Sequence, residues 1–146
     1  MRIAALSLFL VAPLLLADDA DPKDPKAPKA REIKVKNLPT ERGIFGKPAK
    51  METEAEMKKI VLDETAQKEI SKQVNFKKEY LLLFRWAGSG GDQVSITTGK
   101  DGEVTFSFKR GLTRDLRMHS KLFAIPKDSK YKLPATGKGG GIRPRG

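Results

Sequence analysis

The sequence predicts a small α+β domain: an antiparallel β-sheet of about five strands with one or two short helices packed on one face. Three observations support this fold class. Two helix-start patterns lie in the first half of the chain, an apolar strand pattern at residues 80–87 follows them, and a hairpin pattern comes after that strand. The chain has 146 residues, which is room for one hydrophobic core.

Two short extended segments are expected before the helices. Ile33 and Val35 alternate with lysines, which is the period of a half-exposed strand, and Pro39 closes this segment. Residues 47–51 form a second short segment of the same kind.

Two helix starts follow. Thr53 and Glu56 have the spacing of a capping box, which predicts a short helix through Lys59. Asp63 starts a second predicted helix that ends at Gln73. Its predicted apolar face consists of residues four apart: Leu62, Ala66, Ile70 and Val74.

The remaining elements are predicted strands. Residues 80–87 are a continuous apolar run, typical of a buried central strand. Residues 92–97 and 103–109 flank the turn 99–102, whose Asp-Gly pair is typical of a β-hairpin. Residues 121–125 are the last predicted strand, which Pro126 ends.

The two ends of the chain predict export and solvated tails. Residues 1–17 combine Arg2 with an apolar run shorter than the roughly 20 residues of a membrane-spanning helix, as in a cleaved secretory signal peptide. Residues 18–32 are rich in Pro, Lys and Asp and predict a disordered linker. The single domain is expected at residues 33–133, and residues 134–146 predict a disordered, Gly-rich basic tail. The mature chain is therefore expected outside the cytoplasm, secreted or periplasmic, with no stable membrane span after signal cleavage. The alternative is that residues 1–17 are retained as an N-terminal anchor.

Composition limits the chemistry. The chain has no Cys and one His, which excludes disulfide scaffolds, thiol nucleophiles and Cys-ligated zinc. No metal site or cofactor is predicted. The net charge of +11 fits an anionic partner outside the cell or, as an alternative, a nucleic acid. Because the lysines are spread along the chain and export removes it from intracellular nucleic acid, no specific nucleic-acid partner is expected.

The glycine-rich segment at residues 87–92 is the first candidate site. Ser89 follows a hydrophobic strand, as the nucleophile of a G-x-S-x-G elbow does, with His119 as its base. Against this alternative, a strand pattern follows the serine where an elbow needs a helix. The other interpretations are a structural connection in which Asp92 caps backbone N–H groups, and a concavity at Gly90 and Gly91 that binds an anion or a partner.

The basic segment at residues 109–119 is the second candidate. It holds Arg114, Asp115 and His119 and has the groups to bind a carboxylate or phosphate. Alternatively, Arg114 and Asp115 pair with each other and, with Asp92, pin a long loop. Arg85 in the central strand is either the floor of a site, a cation–π partner of its neighbour Trp86, or a residue on the solvated face of the sheet.

The segments VNFKKEYLLLFRWAGSGGD and GLTRDLRMHSKLFAIPK carry a resemblance. They resemble a group of small secreted proteins of planctomycete type without assigned activity. More distantly, residues 62–127 are similar to the PrcB-type C-terminal domain, which is associated with stabilising an extracellular protease complex; Ser89 to Asp92 stand where that pattern has a Thr-Gly-Gly-Tyr-like loop. The resemblance implies a binding domain without catalysis, with the loops at Gly90-Gly91 and Arg114-Asp115 as its contact surface.

The function expected from the sequence is therefore an exported, non-catalytic module that binds a protein or an anionic cell-envelope polymer. The alternatives are a small serine hydrolase that uses Ser89 and His119, and a nucleic-acid-binding module. The candidate binding residues are Ser89, Gly90, Gly91, Asp92, Arg114, Asp115, His119 and Arg85. The oligomeric state stays open.

Overall fold

The computed structural model describes residues 28–41 and 43–134, which form two helices and seven strands. In chain order these elements are β1 (Arg31–Ile33), β2 (Ala49–Met51), α1 (Glu54–Ile60), α2 (Glu64–Gln73), β3 (Glu79–Ser89), β4 (Gln93–Thr98), β5 (Val104–Lys109), β6 (Leu116–Pro126) and β7 (Tyr131–Lys132). The α+β class is therefore confirmed.

The strands form two sheets, where the sequence predicted one of about five strands. The first sheet has four antiparallel strands in the order β1-β6-β3-β2, and the second has three in the order β4-β5-β7. In the second sheet β4 and β5 are the predicted antiparallel hairpin, whereas β5 and β7 run parallel. The hairpin was predicted correctly, but it belongs to the second sheet together with β7 and not to the sheet that contains β3.

The four-stranded sheet is the middle of three layers. Leu81 and Leu83 of β3 pack into a core with both helices, and Leu82 and Phe84 pack into a second core with the three-stranded sheet. Because successive side chains of a strand point to opposite faces, β3 is apolar at every position where both faces are covered. This explains the continuous apolar run that the sequence shows, and it confirms β3 as a buried central strand.

Both helix starts were predicted correctly. Thr53 is the N-cap of α1 and accepts a hydrogen bond from the backbone N–H of Glu56, while Asp63 is the N-cap of α2 and accepts from that of Ala66. Ile70 and Ala66 are buried as expected. Leu62 is not: its side chain is 78% exposed, because it lies before the N-cap and outside the helical period.

The predicted strand ends and loops need three corrections. β3 continues through Ser89 and β6 begins at Leu116, so these two strands pair along residues that the sequence suggested were loops. Only Gly90 and Gly91 form the turn into β4. Tyr131 belongs to β7, a two-residue strand that the sequence did not predict.

The first strand, β1, overlaps the range predicted as linker. Arg31, inside the range predicted as linker, pairs with Ala124, and its guanidinium forms an ion pair with the buried carboxylate of Glu79. The predicted signal peptide, residues 18–27 of the predicted linker and residues 135–146 of the predicted tail lie outside the described residues. None of the helices in the described part is long and apolar enough to span a membrane.

Candidate functional site

The candidate residues meet where β3 and β6 extend past the helices. Residues 85–89 of β3 pair with residues 116–120 of β6, and we call this region the distal arm. The residues of the helix-side core stop at Leu83 on β3 and at Leu122 on β6. The face of the distal arm on the side of the helices is therefore left without a helical cover.

Asp92 joins the turn after β3 to the loop that precedes β6. Its carboxylate is buried; Oδ2 accepts from the indole N–H of Trp86 at 3.0 Å, and Oδ1 accepts from the backbone N–H of Gly111 at 2.8 Å. Each oxygen satisfies a donor that would otherwise lose its contact with water. Asp92 was expected to cap backbone N–H groups, and it caps one, that of Gly111.

Asp115 makes a second connection between the same segments. Its carboxylate accepts from the backbone N–H of Gly90 at 3.1 Å and forms an ion pair with Arg117. A hydrogen bond from the Thr113 side chain, together with these two partners, lowers the pKa of Asp115 to about 2. The predicted pairing of Asp115 with Arg114 is wrong: Arg117 is two residues away on β6, where side chains two apart share one face.

Ser89 and His119 lie close together but do not form a nucleophile–base pair. The Ser89 hydroxyl donates to the carbonyl oxygen of Thr113 at 2.9 Å, and its Oγ lies 2.6 Å from Thr113 Oγ1. His119 Nε2 lies 2.9 Å from the backbone carbonyl oxygen of Ser89, so Nε2 carries the proton in this hydrogen bond. The imidazole also stacks on Trp86, with 4.7 Å between ring centroids and 11° between planes.

Two glycines allow the close approach of these segments. A Cβ on Gly111 would lie 2.6 Å from the Cα of Gly91 and 2.7 Å from the backbone nitrogen of Asp92, closer than such atoms can come. A Cβ on Gly90 would lie 2.5 Å from Oδ2 of Asp115. Gly111 is thus explained by close backbone packing, and Gly90 by the close approach of the Asp115 carboxylate.

The two arginines that the sequence singled out lie apart. Arg85 is half-buried, and its guanidinium donates to Glu41 at 3.2 Å. It is not the stacking partner of Trp86, a position that His119 occupies. Arg114 lines an open cleft of about 680 Å³ beside Ser89 and Asp115.

Three exposed apolar side chains in or beside this cleft were missed by the sequence interpretation. Leu112 is 98% exposed, Leu116 is 77% exposed and Met118 is 42% exposed. Leu112 and Leu116 line the cleft together, and Met118 shares a face of β6 with Leu116. We call these three residues the distal patch. A signal was present: Leu116 and Met118 alternate with Arg117 and His119, which is the period of a strand.

Two basic side chains border the distal patch. Arg110 and Arg114 line the same cleft, whereas Arg117, between Leu116 and Met118 along β6, has its side chain on the opposite face of the strand. Asp115 is the one acidic residue among those that line the cleft, and it is already paired with Arg117. The surface is therefore apolar with a positively charged border.

Within the described part of the chain, no three His, Asp or Glu side chains come together in a way that could hold a metal ion. Comparison with protein-family models, with curated proteins and with solved structures finds no match for this chain. The class that fold and site define is thus a three-layer α+β domain with an apolar, arginine-bordered surface on its distal arm.

Proposed function

We propose that the protein is an exported, non-catalytic binding module that captures a partner protein through the distal patch. The observation that carries this proposal is the exposure of Leu112 and Leu116 on one cleft, with the exposed Met118 on the same face of β6 as Leu116. An isolated exposed leucine is ordinary on a protein surface, whereas adjacent exposed apolar side chains with a polar border mark interaction sites. Export rests on the signal-peptide pattern of residues 1–17.

The hydrogen bonds of Asp92 and Asp115 support this proposal because they hold the patch in place before binding. They connect the loop that carries Leu112 to the turn after β3. A preorganised surface loses less conformational entropy on association than a mobile loop does. The role of these two residues is therefore to position the patch, and contact with the partner is made by the patch and its arginines.

The two arginines that border the distal patch indicate the chemistry of the partner. Arg110 and Arg114 present planar, permanently charged groups that match carboxylates, and arginine is enriched in protein interfaces. The expected partner is a protein whose surface places apolar side chains between Asp or Glu residues. Such charge complementarity gives orientation and a faster association, while burial of the leucines gives most of the affinity.

The test is capture of partner proteins from a cell-envelope extract of the source cells, followed by binding measurements with the purified partner. Leu116→Ser is expected to weaken binding at least tenfold, since central apolar contacts dominate interface energies. Leu62→Ser is the matched control: it removes an equally exposed leucine between the helices and is expected to leave binding unchanged. Arg114→Glu is expected to slow association.

Three outcomes would contradict the proposal. Equal binding by the Leu116 and Leu62 variants would remove the distal patch from the interaction. If both variants still bind an anionic polysaccharide or a nucleic acid, and added salt alone abolishes that binding, the ligand would be a polyanion instead. Labelling of Ser89 by a serine-reactive phosphonate in the folded protein would replace a binding module with a hydrolase.

A further inference from the structure

The outer edge of β4 is an unprotected strand edge. In the described part of the chain β4 pairs with β5 alone. Its six residues, QVSITT, include neither a charged residue nor Pro, although 32% of the whole chain is charged. Natural proteins protect sheet edges with short strands, lysines, Pro or bulges, because an open edge pairs with other strands. The other edge strands, β1, β2 and β7, have only three, three and two residues.

The hydrogen-bond pattern tells which backbone groups point outward. The N–H of Gly99 donates to the carbonyl oxygen of Glu103 across the hairpin at 2.8 Å, so the backbone N–H of Gly99 points toward the β5 side of the hairpin. Bonded and non-bonded positions alternate along an antiparallel pair. The backbone N–H and C=O groups of Val94, Ile96 and Thr98 therefore point away from β5, to the open side.

We propose that two copies of this chain pair edge to edge through β4, antiparallel and about a two-fold axis at Ile96. In this register Ile96 faces Ile96 of the second copy, and Val94 faces Thr98. All three outward-facing residues then meet another outward-facing residue, which gives three bonded pairs and about six backbone hydrogen bonds. The two three-stranded sheets become one continuous sheet of six strands.

The side chains of the same register are also self-complementary. Ser95 and Thr97, both exposed, face Thr97 and Ser95 of the second copy on the outer side of the sheet. Ser and Thr pairs directly across two strands are favourable, and no like charges meet. Val94 and Ile96 face the opposite way, toward the core between the sheets. A second copy therefore offers this edge a strand with the same uncharged alternation.

The experiment places like or opposite charges at positions 95 and 97, which face each other across the proposed two-fold axis, and measures the effect on dimerisation. The chain is expressed in full, and its exported form is studied by sedimentation from about 10 µM to about 1 mM, which covers weak association. The double variant Ser95→Lys, Thr97→Lys places lysines opposite lysines and is expected to weaken dimerisation at least tenfold. The variant Ser95→Lys, Thr97→Asp places opposite charges across the axis and is expected to dimerise as the wild type does.

Amide hydrogen exchange identifies the edge directly. The amides of Val94, Ile96 and Thr98 are expected to become protected as the concentration rises, whereas those of Ser95 and Thr97 are bonded to β5 and protected throughout. A wild type that stays monomeric at about 1 mM, or a double-lysine variant that dimerises normally, would overturn the proposal. Protection of the edge only after another protein is added would assign it to a foreign strand instead. The distal-patch variants leave this edge intact, so the two proposals fail separately.

Discussion

Replacing Asp92 by Asn tests whether this carboxylate holds the distal arm together. The change keeps the shape of the side chain but replaces one acceptor oxygen with an NH₂ donor. Both oxygens of Asp92 accept, one from the Trp86 indole at 3.0 Å and one from the Gly111 backbone at 2.8 Å. In either amide orientation one buried donor therefore faces another donor. Leaving a buried donor without its acceptor costs about 1–3 kcal/mol.

The assay follows directly from the site. Trp86 is the only tryptophan of the chain, so its fluorescence during urea unfolding reports on the fold and on this contact together. For a slope of about 1–3 kcal/mol per molar urea, the expected loss lowers the unfolding midpoint by roughly 1 M. Asp101→Asn, in the exposed turn between β4 and β5, is the matched control, and its midpoint is expected to stay within the scatter of surface substitutions. Equal midpoints for the two variants would refute the role assigned to Asp92.

Three further predictions test other contacts of the fold. Gly111→Ala is expected to destabilise the domain by about 1–3 kcal/mol in urea unfolding, because its Cβ would overlap the backbone of Gly91. Gly99→Ala is expected to be tolerated, because its Cβ would lie 3.6 Å from the carbonyl oxygen of Glu103, an ordinary van der Waals contact; equal effects of the two changes would contradict this. The folded state lowers the pKa of Asp115 to about 2, so its contribution to stability is complete above its pKa in the unfolded chain and is lost as the pH falls from about 4 to about 2. Asp115→Asn should therefore make the free energy of unfolding less dependent on pH in that window. An unchanged acid unfolding curve would argue against the contacts assigned to Asp115. Glu79→Ala removes the buried carboxylate that accepts from Arg31 and from the backbone N–H of Asn75, and it should cost about 1–3 kcal/mol in urea unfolding. A loss no larger than that of an ordinary surface substitution would count against these contacts.

Local patterns predicted the elements whose signal lies within a few residues. The N-caps Thr53 and Asp63 and the hairpin turn were found because capping and turn residues act on their own backbone. Gly102 takes a positive φ of 75° in that turn, the conformation that glycine adopts most readily. The α+β class followed from the order of these elements.

The division into two sheets could not be predicted in the same way. A continuous apolar strand such as β3 indicates burial on both faces, but the pattern does not say what covers each face. That is decided by contacts between distant parts of the chain, such as Phe84 with Phe106 and Phe123. The two-residue strand β7 likewise exists through its pairing with β5 rather than through its own sequence.

The candidate site shows the same division between local and distant causes. Ser89, Asp92 and Asp115 were chosen by residue type, and the structure brings them together on the distal arm. Their partners were not predicted, because Gly111 and Thr113 are recognisable only when the two segments meet. The sequence interpretation assigned Gly90 and Gly91 to a contact surface. In the structure a Cβ on Gly90 would meet the Asp115 carboxylate, and a Cβ on Gly91 would lie 3.3 Å from the Cα of Gly111.

The connection between Asp92 and the loop links the stability of the fold to the proposed binding surface. Leu112 directly follows Gly111, whose N–H is held by Asp92, so Asp92→Asn frees the loop that carries one part of the distal patch. Leu116 lies on β6, where the strand pairing with Ser89 fixes it independently. A loosened loop must be ordered when the partner binds, and this loss of conformational entropy weakens binding. The contacts that Leu116 makes with the partner from β6 remain in place. A binding defect of Asp92→Asn should thus be smaller than that of Leu116→Ser, although Asp92→Asn is the more damaging change for stability.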